Sequence, residues 1–417
     1  QWLDVARHAE SCGYERDQMK PFIWKYRDWA IAAINSDLPY NRFVEQQLAG
    51  DEVPDRSEAS LVATGFLRLG TWNDEPNDPQ EYKYDRLEDL IHATSTAFLG
   101  LTIKCARCHD HKFDPVRQQD YYRLGTAFWA GYVEPGAGDV LGGPDPKVLG
   151  GDIHGWTDRS ATPPELHLLK KGDPKRPADV VAPAHMSFIT QHQPDYPPPA
   201  ADTKTSQRRL QVAKWITDPA NPLTARVWVN RIWQHRFGNG IVRSPDNFGF
   251  TGDPPTHPEL LDWLATELTS RDWSTKRLQR LMLLSNGYRQ SSLHPDADSY
   301  ADEDYANRWL WRAERRRLDS DLLRDALLAA AGELDLGKRG GPSFAPTISG
   351  EALEGLSMKS NAWKASPPAE QRRRSIYMLA KRHLLSPLAT TFDFPDTTLP
   401  CGRRDVTTVA PQALALP

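Results

Sequence analysis

The sequence predicts a mainly α-helical protein: two helical domains joined by a long irregular Gly/Pro-rich segment with few short strands. Three observations carry this. Apolar residues recur at the spacing of one helix face in several windows of both halves. From about Glu134 to Ala201 that regularity gives way to Gly, Pro and Asp. The 417 residues, 39% hydrophobic and 25% charged, suffice for two or three domains with ample core. The limits so drawn are 1–133, 134–204 and 205–417.

In the first part, Tyr26 to Asn35 and Pro39 to Leu48 carry apolar residues at helical spacing. A further helix is expected with Asp85 as N-cap and Glu88 three residues on, its apolar face made of Leu87, Leu90, Ile91, Thr94, Phe98 and Leu101. That helix is expected to deliver the thiols of Cys105 and Cys108 into the core, and an aromatic helical pattern resumes from Tyr121 to Trp129. The middle segment, with Gly142-Gly-Pro-Asp-Pro146 and Pro197-Pro-Pro199, is longer than ordinary connections and is expected to wrap a surface or line a site. Leu166 to Asp173 and Val180 to Pro183 are its candidate strands. In the last part, helices are expected over Arg208–Thr217, Leu223–Phe237, Glu259–Ser270, Lys276–Gly287 and Asp319–Gly332. Thr256-His257-Pro258-Glu259 is a helix start with proline in the first turn, and Ser274 is an N-cap.

Between the two aromatic-rich helices of the first part lies Cys105-Ala106-Arg107-Cys108-His109, a C-x-x-C-H sequence that uses half of the chain's four cysteines. This spacing reads as a covalent c-type haem site: Cys105 and Cys108 add to the haem vinyl groups and His109 presents its imidazole to the iron as proximal ligand. A thioredoxin-like redox pair, a local disulfide and a zinc site of Cys105, Cys108, His109 and His111 are the competing readings. The redox pair lacks its preceding strand, and the zinc site lacks a second ligand pair from a separate segment.

The run Phe98-Leu-Gly-Leu-Thr-Ile-Lys-Cys-Ala-Arg-Cys-His-Asp-His-Lys-Phe-Asp-Pro-Val116, with Asp120-Tyr121-Tyr122, resembles the planctomycete cytochrome-c-like proteins that carry two paired domains of unknown function. Trp2 to Arg7, Tyr26 to Trp29 and Gln47 to Asp51 are similar to the first domain; Asn230 to Val242, His257 to Leu264 and Ser285 to Ser292 are similar to the second. The resemblance covers nearly the whole chain and implies an exported bacterial protein of cytochrome type. It also implies a further small haem domain upstream in longer members; the family has no well-established reaction, so the resemblance supplies a cofactor rather than a substrate.

The sixth iron position decides between electron carrier and enzyme. His235 and His257, in the downstream stretches of the resemblance, are the candidates for a distal ligand or for an acid/base in a distal pocket. His111 is too close in sequence to His109 to reach the opposite face of the ring. It is expected to hydrogen-bond a haem propionate or a substrate, or simply to be satisfied locally. A methionine ligand has no motif behind it. Asp74, Glu75 and Asp78 form an acidic loop with oxygen ligands of the kind calcium takes, at a spacing unlike an EF-hand, against the plainer reading of a solvated helix start. Asp110, Asp114 and Asp120 are expected in ion pairs with Arg107, Lys112 or Arg123. Trp72, Trp129, Trp156, Trp228 and Trp233 are read first as core.

The net charge of −4 leaves no nucleic-acid footprint, and no apolar run reaches the roughly 18 residues that span a bilayer. Arg315-Arg316-Arg317 and Arg372-Arg373-Arg374 read as solvated faces or salt-bridge partners. There is no G-x-S-x-G, P-loop, H-E-x-x-H or helix-opening G-x-G-x-x-G. The chain begins at Gln1 without an initiating methionine and reads as an excerpt or processed product, so the lack of a signal peptide is uninformative. Haem attachment places it in the periplasm or outside the cell, where Cys12 and Cys401 could pair or stay free. The expectation is an exported haem-c protein with a redox partner such as another cytochrome or haem domain. A haem-c-dependent oxidoreductase acting on a small organic or carbohydrate molecule is narrowly favoured over a pure electron carrier. The alternative is a noncatalytic scaffold whose C-x-x-C-H is a structural metal or disulfide site.

Overall fold

The structure is a computed structural model that describes residues 1–133, 136, 139–190, 196–353 and 363–415. It is mainly helical, and its one sheet among the described residues has two strands. The first part contains α1 (Trp2–Val5), α2 (Trp24–Asn35), α3 (Tyr40–Ala49), α4 (Glu58–Ala63), α5 (Pro79–Thr94) and α6 (Gln118–Gly125). The middle segment carries β1 (His167–Leu169) and β2 (Pro177–Val180), antiparallel with His167 opposite Val180 and Leu169 opposite Pro177. The last part contains α7 (Arg208–Ile216), α8 (Thr224–Phe237), α9 (Pro258–Ser270), α10 (Thr275–Leu283), α11 (Asn286–Arg289), α12 (Ala297–Asp304) and α13 (Ser320–Ala330), with short helices at Pro387–Thr391 and Ala410–Ala415.

The helix before the cysteines starts earlier than its apolar pattern suggests. Asp78, not Asp85, is the N-cap: its carboxylate accepts from the Gln80 and Glu81 N–H groups at 3.0 and 3.1 Å, and Pro79 opens the first turn. Asp85 lies inside α5, where its side chain meets Arg107. After Thr94 the chain loosens into a single π-turn, Ser95–Leu99, and stops at Gly100, whose φ of +61° is left-handed. A Cβ at Gly100 would lie 2.9 Å from both Phe248 and Val227, so glycine is required by conformation and by space. Ser274 caps α10 through Arg277 N–H at 3.1 Å, and Pro258 opens α9.

The apolar core does not divide between the first and last parts. One cluster of buried side chains runs from Trp2 to Met282 and takes in Leu166, Leu169 and Met186 of the middle segment. Aromatic rings stitch it together: Trp2 meets Phe43 at 5.0 Å and Trp228 at 5.8 Å, and Tyr40 stacks on Trp228 at 4.2 Å. Trp72, Trp129, Trp156, Trp228 and Trp233 are all buried. A smaller cluster forms around Ala345, Trp363 and Leu384.

One buried ionic knot ties all three parts. Arg209 of α7 binds Asp51 at 2.6 and 2.8 Å, Glu52 at 3.0 Å and Asp158 of the middle segment at 3.0 Å. All four side chains are at most 1% exposed. Burial pushes the Glu52 carboxyl up to about 8, with Arg209 opposing and Asp158 and Asp51 reinforcing the shift. Three buried carboxyl groups meet on one guanidinium, and removing it leaves Asp51 and Asp158 buried without their counterion. Arg209→Met is therefore expected to cost about 3–5 kcal/mol, read as a lower urea midpoint; an unchanged midpoint would contradict this role.

Acid should also destabilise the fold. Burial holds His8 at about 3 and His92 and His185 at about 4, and it pushes His154 well below the usual value. Because these folded-state values lie below the unfolded value of about 6.5, their stabilisation is present above that pH and is lost as pH falls toward 4. Glu52 works in the opposite sense, losing stabilisation as pH rises toward 8, as do Glu10, Asp139 and Asp319, whose carboxyls burial also raises, whereas His235, held at about 3, adds to the four histidines. The urea midpoint is expected to fall between pH 6.5 and 4.5; a flat or rising midpoint would refute the histidine assignment.

Candidate functional site

The motif begins in a single 3₁₀ turn, Lys104–Arg107, and runs past its C-cap Cys108 to His109, between the π-turn and α6. Leu101, Ile103 and Ala106 point inward at 4%, 1% and 0% exposure and anchor the turn. Cys105, Cys108 and His109 are exposed, which corrects the expectation that the helix carries the thiols into the core: the apolar neighbours occupy the buried positions. The Cys108 N–H donates to the Cys105 carbonyl at 3.2 Å, closing the turn. Cys108 is thus the C-cap of the turn and Cys105 lies within it. Both are free.

Arg107, between the cysteines, fixes the turn to α5. Its guanidinium binds Asp85 at 2.7 Å and also Glu81, with Glu88 at 3.5 Å. Burial opposes its charge, but hydrogen bonding to Asp85 and the nearby acidic groups hold its pKa above the ordinary value. Its carbonyl accepts from Gln118 Nε2 and Tyr122 OH, both at 2.9 Å. Gln118 also reaches the Leu169 carbonyl at 2.7 Å, so the strand pair of the middle segment backs the site. Beyond that strand, Gly172 (φ +71°) passes so close that a Cβ there would lie 2.4 Å from Cys108 Sγ. Burial pushes the Tyr121 and Tyr122 phenols up, so both stay protonated beside the motif.

His109 Nδ1 stands 2.7 Å from the Asp110 carbonyl oxygen. A carbonyl only accepts, so Nδ1 carries the proton and a neutral imidazole keeps its Nε2 lone pair bare. That is the tautomer of a metal-bound histidine whose other ring nitrogen is held by a backbone acceptor. The donor set thus fits haem c: two unpaired, exposed thiols three residues apart at a turn and an imidazole with Nε2 available. Among the described residues no group of three or more His, Cys, Asp or Glu side chains converges on one point.

His111 is engaged within its own loop. Its Nδ1 accepts the Asp114 N–H at 3.0 Å, and its own N–H donates to the Val116 carbonyl at 2.8 Å. The Asp114 carboxylate in turn accepts the Phe250 N–H at 2.6 Å. Asp110 takes the Gln118 N–H at 2.8 Å, and Asp120 lies 3.3 Å from Arg123. Phe113 and Phe250 stay 51% and 81% exposed on either side of the Asp114 bond.

His235 and His257 lie elsewhere. His235, held at about 3 chiefly by burial, opens onto a cavity with Asp4, Arg316, Cys401 and Arg404. His257 is the N-cap of α9, its Nδ1 2.9 Å from Thr256 Oγ1, on a small cavity with Trp233 and Arg243. Neither cavity includes a residue of the motif. Asp74 and Glu75 are each taken by Arg16 at 2.5 Å, and Asp78 caps α5 and meets Lys175 at 3.5 Å, so the three acidic side chains are separately engaged. Cys12 and Cys401 are free, each thiol donating to a nearby carbonyl, Gly13 at 3.1 Å and Arg403 at 3.2 Å.

Sequence reading passed over the anchors: Glu81, Asp85 and Glu88 recur at helical spacing, the signal of a carboxylate face for Arg107. Nothing local marks Gly172, the Phe250 amide or Arg231, which binds the carbonyls of Thr96 (2.8 Å) and Ala97 just before the motif.

No helix among the described residues is long and apolar enough to cross a membrane. No curated protein and no solved structure matches the chain. Two family models match it: PSCyt2, protein of unknown function (DUF1549), over residues 1–131, and PSD1, protein of unknown function (DUF1553), over residues 208–417. The second spans half of the chain, which therefore belongs to the PSD1 (DUF1553) family of proteins of unknown function and carries a PSCyt2 (DUF1549) region ahead of it.

Proposed function

We propose that this chain is an exported c-type haem protein that exchanges electrons with a second redox protein, another cytochrome or haem domain. Cys105 and Cys108 would hold a haem through thioether bonds, His109 Nε2 would ligate its iron, and the group would supply one-electron chemistry. The observation that carries the reading is His109 Nδ1 at 2.7 Å from the Asp110 carbonyl, beside two free, exposed thiols. Exposure of all three groups favours relay to a partner over an enclosed substrate pocket, and the positions of His235 and His257 lend no support to either as distal ligand. The chain's own residues do the positioning: Arg107, Gln118 and Tyr122 fix the turn, and Asp110 orients the imidazole. Haem c attachment belongs to the periplasm or the exterior of a bacterial cell, which is the proposed location.

Chain purified from its native source, or co-produced with a haem-attachment system, is expected to keep its pyridine haemochrome signal after denaturation and acid–acetone extraction. Cys105→Ala combined with Cys108→Ala removes that signal. His109→Ala keeps the covalent signal and changes the ferric spin state. Native-source protein that loses all haem on extraction would overturn the reading.

Asp114→Ala is expected to leave covalent haem unchanged while lowering the urea midpoint by about 1.5–3 kcal/mol in stability, the worth of the lost hydrogen bond from the Phe250 N–H to a charged carboxylate. Equal stability with Asp114→Ala would show that this bridge does not hold the site.

A further inference from the structure

A second site lies away from the cysteines, in a cleft of about 380 Å³ between the start of the chain and the segment from 319 to 404. That volume is in the range of small-molecule pockets. Its body is apolar, and three of its large side chains, Ile34, Leu322 and Ile376, remain 39%, 45% and 37% exposed. Five carboxylates and two guanidiniums line it.

Most of these charges are committed. Arg404 is gripped by Asp4 at 2.9 and 3.0 Å and by Asp321 at 2.9 and 3.2 Å. Asp325 accepts the Ser375 N–H at 2.7 Å and meets Arg374 at 3.4 Å. Asp396 accepts the Thr398 N–H at 2.8 Å. Asp319 stands apart: it is the N-cap of α13 without a side-chain capping bond, and its carboxylate has no hydrogen-bond partner among the described residues. Burial raises its pKa; Arg404, already gripped by Asp4 and Asp321, opposes the shift and those two carboxylates add to it, so Asp319 shares one guanidinium with two other acids.

The cleft contains a second uncommitted polar group. His8, only 7% exposed, lines it; the ring is hydrogen-bonded to the Ile23 backbone, and Nε2 is buried with no partner among the described residues. A buried polar atom left unmade is rare and points to a ligand or water that satisfies it. His8 is held at about 3, so that nitrogen is a neutral acceptor for a donor group.

We propose that this cleft binds a small organic cation, a primary amine carried on an apolar body, with the ammonium on Asp319, the body against Ile34, Leu322 and Ile376, and His8 Nε2 accepting a hydrogen bond. An ammonium supplies three donors and a second positive charge for three carboxylates that share Arg404, and an apolar body covers side chains that solvent otherwise meets. Nothing in this site depends on haem.

The test uses benzylamine and its neutral counterpart benzyl alcohol, titrated calorimetrically against the longest natural form of the chain. The expected result is that benzylamine binds about tenfold or more tightly than the alcohol, the factor set by one charge-assisted hydrogen bond. Asp319→Asn brings the two probes to equal affinity, and Leu322→Trp, which fills the cleft from an exposed position, abolishes both, with circular dichroism showing that each variant is folded. Equal affinity of the two probes for the unaltered protein, no binding of either at millimolar concentration, or an unchanged preference in Asp319→Asn would each overturn the proposal.

Discussion

Arg231 of α8 is 2% exposed and spends its guanidinium on the carbonyls of Thr96 and Ala97 and on Asp246 at 3.1 Å. The two carbonyls lie in the π-turn, where the α-helical ladder of α5 has slipped and acceptors are freed. A buried carbonyl without a donor is costly, so α8 completes the end of α5 from outside. The neighbouring Phe248 N–H does the same for the Gly100 carbonyl at 2.7 Å, and Phe250 for Asp114. The stretch from Thr96 to Asp114, with the two cysteines and His109 inside it, is thus fastened at both ends by the PSD1 region although it belongs to the PSCyt2 region.

That fastening gives a physical reason for the two regions to occur in one chain. A turn carrying exposed thiols cannot rely on burial of its own functional side chains for rigidity. It is held instead by the inward residues Ile103 and Ala106, by the Arg107 ion pairs to α5 and by donors from α8 and the 248–250 loop. A cofactor bonded there would rest on a rigid base with its outer side open, the arrangement suited to contact with another redox protein. The amine-binding cleft lies between other surfaces of the same two regions.

The helices were legible wherever an apolar stripe and a cap coincide. Trp24–Asn35, Thr224–Phe237 and Pro258–Ser270 lie within two residues of their periodic runs because each buries one face in the common core. The start of α5 was misread at Asp85 because its first turn, Pro79 to Tyr82, is held by the Asp78 cap and by Tyr82 rather than by a long apolar stripe. The motif's residues were readable from their spacing alone. Their exposure was not, since it depends on Leu101, Ile103 and Ala106 winning the inward positions. The contacts with Arg231, Phe248 and Phe250 join residues more than a hundred positions apart and mostly use backbone groups, which leave no pattern in the sequence.

The central claim is that the PSD1 region holds the turn that bears the cysteines. Native-state hydrogen exchange read peptide by peptide in the unaltered protein and in Arg231→Met tests it directly. The account predicts that amides from Ser95 to Asp114 lose protection in the variant while those of α2 and α3 keep theirs. Loss of protection confined to α8 and its own neighbours, with the cysteine-bearing turn unchanged, would contradict it.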